Sequence, residues 1–101
     1  MKIVYRPAAV EDIRKTSRYI SEELKNPSAA ESFTAKVLHG ISLLKENPQM
    51  GQSLKSKFDD INTNYHYIII NKHLVFYEIS SDTIEIVRVL DGRTDYLSHL
   101  I

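Results

Sequence analysis

Few side chains in this chain can do chemistry near neutral pH. There is no cysteine, which excludes thiolate catalysis and disulfides, and four scattered histidines, His39, His66, His73 and His99, make a poor zinc set. His66 is the one histidine placed to act. It alternates out of phase with Tyr65 and Tyr67 in an apolar run, and an imidazole there titrates near neutrality and can take a proton as a general base. The same position equally suits an ordinary strand-surface histidine. His39 faces away from the apolar stripe of its segment and is expected to be solvated, and His73 begins a strand beside a turn, where local hydrogen bonding accounts for it. Glycines at 40, 51 and 92 cannot build a GxGxxG phosphate loop, and neither paired metal ligands nor a nucleophile elbow is visible. No cofactor and no metal is expected.

Arg88 continues an alternation with Ile84 and Ile86, so an otherwise apolar sheet face would carry a guanidinium near its end. It must find a carboxylate, a carbonyl or water there, and Asp91, Asp95 and Glu78 are the available partners. One outcome is an ion pair that pins the C-terminal segment to the sheet. Arg93 and Asp95, two apart in a turn, read as solvated charges. Tyr96, Leu97, Leu100 and Ile101 form an apolar terminal cluster that either closes the core or offers a docking surface.

The charge balance narrows the function. Thirteen basic residues meet thirteen acidic ones; residues 1–50 carry eight Lys/Arg against six Asp/Glu, and residues 51–101 five against seven. A protein that grips a phosphate backbone normally shows a basic excess, so nucleic-acid binding would need a local patch. With 43% hydrophobic and 26% charged residues the composition is that of a globular protein, and 101 residues suffice for one domain, 1–101, with one modest core. No apolar run approaches the roughly 18–20 residues that span a bilayer, and the N-terminus lacks a signal-peptide layout, so no membrane association and cytoplasmic residence are expected.

The elements that must position these groups follow from periodicity. Met1 to Arg6 alternates, with Ile3 and Tyr5 on one side and Lys2, Val4 and Arg6 on the other, as a half-buried strand does. Pro7 suits a first helical turn. Val10, Ile13, Ser17, Ile20 and Leu24 then form one helix face. Asn26-Pro27 opens a second helix, whose inward face is Ala30, Phe33, Val37, Ile41 and Leu44, widened by Leu38 and Leu43; so tight a link should pack the pair antiparallel. Asn47, Pro48 and Gly51 end it, and residues 51–64, with Lys55, Lys57, Asp59 and Asp60, read as an irregular polar connection. Tyr65–Ile70, His73–Ile79 and Thr83–Leu90 are β-rich runs separated by Asn71-Lys72 and Ser80-Ser81-Asp82. The expected fold is α+β: a two-helix antiparallel hairpin on a mainly antiparallel four-stranded sheet, in the order β-α-α-β-β-β with a short C-terminal tail.

Several stretches carry a family resemblance. AAVEDI at 8–13, PSAAESF at 27–33 and LLKENPQMGQ at 43–52, with landmarks Leu44, Pro48 and Gly51, resemble the RelE/ParE superfamily of toxins from type II toxin–antitoxin systems. HLVFY at 73–77 and IEIVRVL at 84–90, followed by Arg93, Asp95 and a closing His99-Leu100, are similar to the ParE branch. The resemblance implies the fold just derived, a cognate antitoxin that holds the toxin inactive in a hetero-oligomer, and DNA gyrase as the target. That action is by binding, with Arg88, Arg93, Asp95, Tyr96, Leu97 and Leu100 as target-binding candidates and no catalytic residue. RelE-type relatives instead cut mRNA in the ribosome, which here would assign phosphate stabilisation to Arg88 and proton handling to Tyr96 or His66. His66 stands where that branch places an arginine. Glu78 stands where ParE-type members commonly have a basic residue, and Asp91 where they commonly have histidine.

Overall fold

The first strand of the chain pairs with the last. A computed structural model describes residues 1–57 and 63–100, so Asp59, Asp60 and Ile101 lie outside the described residues. The alternating N-terminus forms β1 (Lys2–Tyr5), which runs parallel to β5 (Thr83–Asp91) with Lys2 opposite Thr83 and Tyr5 opposite Ile86. β5 pairs antiparallel with β4 (His73–Ile79), β4 with β3 (Tyr65–Ile70), and β3 with β2 (Gln52–Ser53). The described residues therefore hold a five-stranded sheet in the order β1-β5-β4-β3-β2, one strand more than the four expected; β1–β5 is parallel and the other pairings are antiparallel, so the sheet is mainly antiparallel as expected. The extra strand comes from the supposedly irregular connection: Gln52 and Ser53 pair with Tyr67 and His66, and a helical turn, α3 (Leu54–Lys57), follows at once.

Between β1 and the sheet meander lies a helical hairpin, α1 (Pro7–Arg18) and α2 (Pro27–Ser42). Both begin with proline, whose missing donor costs nothing in a first turn. Asn26 caps α2 as its sequence implied, its side-chain oxygen accepting the Ala29 N–H at 3.2 Å. The inward face of α2 is the expected one, Ala30, Phe33, Val37 and Ile41, continued by Leu44 in the 3-10 turn that follows, but Leu38 and Leu43 remain 44% exposed. In α1 the buried pair is Ala9 and Ile13; Val10 and Leu24, assigned to the inward stripe, are 39% and 56% exposed. Ala9 rather than Val10 meets the sheet. A π-helical turn at Tyr19–Glu23 then rotates the frame before Lys25, at φ 52°, ends the helix, so Leu24 swings outward.

Both faces of the sheet are covered. Ile84, Ile86 and Val89 of β5, with Val75 and Tyr77 of β4, pack under the hairpin, while Tyr67, Leu74, Phe76, Val87 and Leu90 form a second cluster on the opposite face. Tyr96, Leu97 and Leu100 pack on that second cluster, the last two from α4 (Leu97–Leu100), and Leu54 of α3 closes it. The terminal apolar residues thus close a core.

A β-bulge in β5 explains how both faces are served. Phe76 pairs with Arg88 but Tyr77 with Ile86, so Val87 is the extra residue and the alternation changes phase. Ile84 and Ile86 face the hairpin, and after the bulge Val89 does, in place of Arg88. β1 has ended by this point, and Asp12 of α1 takes over its edge. Its carboxylate accepts the Val89 N–H at 2.9 Å and, bidentate, Arg88 Nε at 2.7 Å and Nη2 at 2.8 Å. Arg88 therefore pairs with Asp12, and not with Asp91, Asp95 or Glu78 as its neighbourhood in the sequence suggested. The Asp12 carboxylate also pushes the Arg88 pKa up.

A second anchor fixes the link between hairpin and sheet. The Tyr77 hydroxyl donates to the Pro48 carbonyl at 2.9 Å and accepts the Gly51 N–H at 3.0 Å. Gly51 has an ordinary extended backbone, so its requirement is steric: a Cβ there would lie 2.6 Å from the Tyr67 carbonyl oxygen.

Two stability predictions follow from these anchors. Asp12→Ala should lower the unfolding free energy by about 2–3 kcal/mol, since it strips a charged partner from Arg88 and the acceptor from Val89, with Asp12→Asn losing roughly half as much. Urea denaturation of the three proteins checks this, and equal midpoints would refute it. Tyr77→Phe, which keeps the ring but loses both hydrogen bonds, should cost about 1–2 kcal/mol in the same measurement.

Candidate functional site

The three groups that could serve a nuclease are placed apart. His66 lies opposite Tyr77 on the hairpin-covered face, its ring stacked on the Tyr77 ring at 5.6 Å between centroids. Its Nδ1 is buried and finds no hydrogen-bond partner among the described residues, so that nitrogen is closed off from a substrate in solvent. Arg88 sits at the β5 edge, with a side chain only 23% exposed and two of its nitrogens taken by Asp12. Tyr96 packs on Phe76, 5.4 Å between centroids, on the sheet face opposite His66. The sheet itself stands between His66 and Tyr96.

A different group does converge, and it was not singled out in the sequence. Arg6 continues the outward alternation of β1 onto the sheet face opposite the hairpin, where it meets Tyr65 of β3, Glu78 of β4 and Glu85 of β5. Its Nη2 lies 2.6 Å from Glu85 and 3.5 Å from Glu78, its Nη1 donates to the Tyr65 hydroxyl at 3.3 Å, and the guanidinium carbon is 5.9 Å from the Tyr65 ring centre. Tyr65, Glu78 and Glu85 are cross-strand neighbours in register. Two glutamates directly opposite each other repel, and Arg6 offsets that repulsion. The hydrogen bond that Arg6 donates to Glu85, followed by the one it donates to Tyr65, raises the Arg6 pKa. The signal was available: Lys2, Val4 and Arg6 share a face, and Glu78 and Glu85 break two apolar strands on that same face.

Chemically this is a cation and a phenol in the company of two carboxylates, a set that resembles acid–base machinery. Its electrostatics oppose a phosphate substrate. At ~5 Å and an effective dielectric near ~20, each unit charge contributes about 3 kcal/mol, so one arginine against two glutamates leaves net repulsion of that order, reduced by solvent. Among the described residues no three His, Cys, Asp or Glu side chains are grouped to hold a metal ion, and no helix is long and apolar enough to cross a membrane.

The remaining candidates belong to the C-terminal segment. Asp91, at the end of β5, accepts from the Arg93 N–H at 2.8 Å and from Arg93 Nε and Nη2 at 3.2 and 3.1 Å. That clasp lowers the Asp91 pKa to about 2, the Arg93 guanidinium contributing most. Asp91 is therefore the residue that shapes this turn. Arg93 itself is 92% exposed, and Asp95 is exposed beside it. Tyr96, Leu97 and Leu100 anchor the segment from below. Two charged side chains are thus displayed on a turn fixed at both ends.

Comparison with known proteins agrees with this architecture. The described chain is similar to a solved chain of the chromosomal ParDE TA system from P. aeruginosa, with a TM-score of 0.74 at 13% sequence identity, covering 90% of this chain and 95% of that one. At that identity the likeness shows the fold alone. No curated protein matches the chain. The model of the ParE toxin of type II toxin-antitoxin system, parDE, matches residues 3–96. From β1 to the anchored C-terminal turn, the chain belongs to the ParE toxin family of type II toxin–antitoxin systems.

Proposed function

We propose that this toxin acts by binding DNA gyrase, without bond-breaking chemistry of its own, and that a cognate antitoxin neutralises it in a hetero-oligomer. The observation that carries the reading is the dispersal of His66, Arg88 and Tyr96 over two sheet faces and one sheet edge. A nuclease must hold such groups within hydrogen-bond reach of one phosphate. The part-exposed group that joins Arg6 to Tyr65 carries two glutamates that disfavour that phosphate. The near-equality of acidic and basic residues points the same way.

Within this reading the C-terminal turn is the contact to the target. Arg93 and Asp95 reach outward, Tyr96, Leu97 and Leu100 hold the turn on the sheet, and Arg88 fixes the strand from which it springs. Exposed arginines on a rigid support are frequent anchors at protein interfaces.

Purified gyrase supplies the test. Excess toxin should inhibit supercoiling and trap cleaved DNA, and primer extension on translated mRNA should show no codon-phased cuts; codon-phased cleavage without gyrase inhibition would assign the RelE-type activity with the ribosome and mRNA as target. Arg93→Ala combined with Asp95→Ala should weaken gyrase inhibition by roughly 10-fold or more at an unchanged melting temperature. Leu97→Ala, by contrast, should lower the melting temperature.

A further inference from the structure

The far end of the helical hairpin comes to lie beside the C-terminal turn. α1 follows β5 in the same direction: the Arg6 N–H donates to the Ile86 carbonyl at 2.9 Å, and further along Asp12 holds Arg88 and Val89. Tyr19 stands seven residues beyond Asp12, about 10 Å along a helix axis, and Arg93 four residues beyond Val89, about 13 Å of extended chain, so both reach the same end of the sheet. The ring of Phe33, early in α2, packs at 4.8 Å between centroids on that of His73, and His73 pairs with Asp91. The Arg93 guanidinium registers the closeness: its pKa is raised first by its hydrogen bond to Asp91, and the Tyr19 phenol adds to the rise.

The hairpin presents an irregular backbone and two large apolar side chains there. The Leu24 N–H donates to the Tyr19 carbonyl, five residues back, and the Asn26 N–H to the Ile20 carbonyl, each at 3.1 Å. That step sets Leu24 one turn above Tyr19. In a regular α-helix Leu24 would follow Ile20, four residues before it, onto the side that packs against the core. Instead Tyr19 is 55% and Leu24 56% exposed. A single exposed apolar residue is ordinary; two on one π-turn, next to a displayed arginine, make a patch, and π-turns often mark functional positions. Both sides of the patch are fixed, since Asn26 caps α2 and the Gly92 N–H donates to the Lys72 carbonyl at 2.9 Å.

Arg93 and Asp95 alone cannot supply the roughly 800 Å² that each partner covers in a stable protein interface. A protein that covers them must extend over neighbouring surface, and Tyr19 with Leu24 is the apolar part of it. We propose that the π-turn is the second half of the gyrase contact, with Tyr19 and Leu24 as its apolar centre and Arg93 and Asp95 as its charged rim. This rests on the gyrase reading above, which gave the contact to the C-terminal turn alone. Tyrosine and arginine are the side chains that most often anchor such interfaces.

The test uses the full-length toxin and purified gyrase. Tyr19→Ala combined with Leu24→Ala should weaken inhibition of supercoiling by roughly 10-fold or more at an unchanged melting temperature, while Tyr19→Phe, which keeps the ring, stays within about 2-fold of the parent. Ile69→Ser, on an exposed side chain at the distant sheet edge, should change nothing. Tyr19→p-benzoylphenylalanine and, in a separate protein, Asp95→p-benzoylphenylalanine should photo-crosslink to the same gyrase subunit. If the parent toxin leaves supercoiling untouched, the gyrase reading falls and this inference with it. If the parent inhibits and depends on Arg93 and Asp95, but the Tyr19 and Leu24 double variant inhibits as strongly, the inference alone is overturned. A double variant that loses antitoxin binding while inhibiting gyrase in full overturns it in favour of the antitoxin. Should the double variant melt early, the crosslinks decide: capture of gyrase from position 95 but not from position 19 overturns the inference.

Discussion

The carboxylate of Asp12 bridges the two layers of this fold at the point where the sheet changes character. Beyond Tyr5 no strand among the described residues satisfies the outer edge of β5, and at the same place the bulge at Val87 leaves the ladder irregular. A helix laid across an open strand edge cannot normally pair with it. One side chain solves this by accepting the Val89 N–H and both reachable nitrogens of Arg88. Because Asp12 is fixed to Val89, α1 has one register over the sheet, and because Arg88 is neutralised, Val87 and Val89 can serve opposite cores. The two apolar clusters, and the terminal segment seated on the second, depend on that geometry.

Much of the architecture was legible in the residues. The inward face of α2, the Asn26-Pro27 start and the three long strands were read from periodicity and capping chemistry. Where the reading failed, the reason is physical in each case. A two-residue strand such as Gln52–Ser53 is too short to show a period, and its existence depends on the neighbouring Tyr67 and His66. The parallel pairing of β1 with β5 joins residues about eighty positions apart, which no local pattern encodes. Val10 looked inward because a one-residue rotation separates it from Ala9 and both are apolar. Leu24 was displaced by a π-turn that carries no composition signal.

The candidate site divides along the same line. Arg88 was recognised as a guanidinium in need of a partner, but the partner lay seventy-six residues away on a helix, and the bulge that redirects it is invisible to an alternation rule that assumes regular pairing. His66 and Tyr96 each suit proton transfer taken singly, and nothing in their local sequence encodes that the sheet stands between them. The Arg6–Tyr65–Glu78–Glu85 group, built across four strand segments, emerges only when register is known. By contrast, the terminal run of Tyr96, Leu97 and Leu100 had been read either as core closure or as a docking surface. Its packing over Phe76 and Leu90 gives the first role to the apolar residues and leaves display to Arg93 and Asp95.

The pairing of the first strand with the last has a consequence for biosynthesis. A ribosome adds about 5–20 residues each second, and contacts between distant parts of a chain cannot form until both parts exist. Here β1 waits for β5, so it stays without its partner strand until residues 83–91 have been made. A truncated or stalled nascent chain lacks both that strand and the turn beyond it. The turn that displays Arg93 thereby gains its support only in chains elongated past β5.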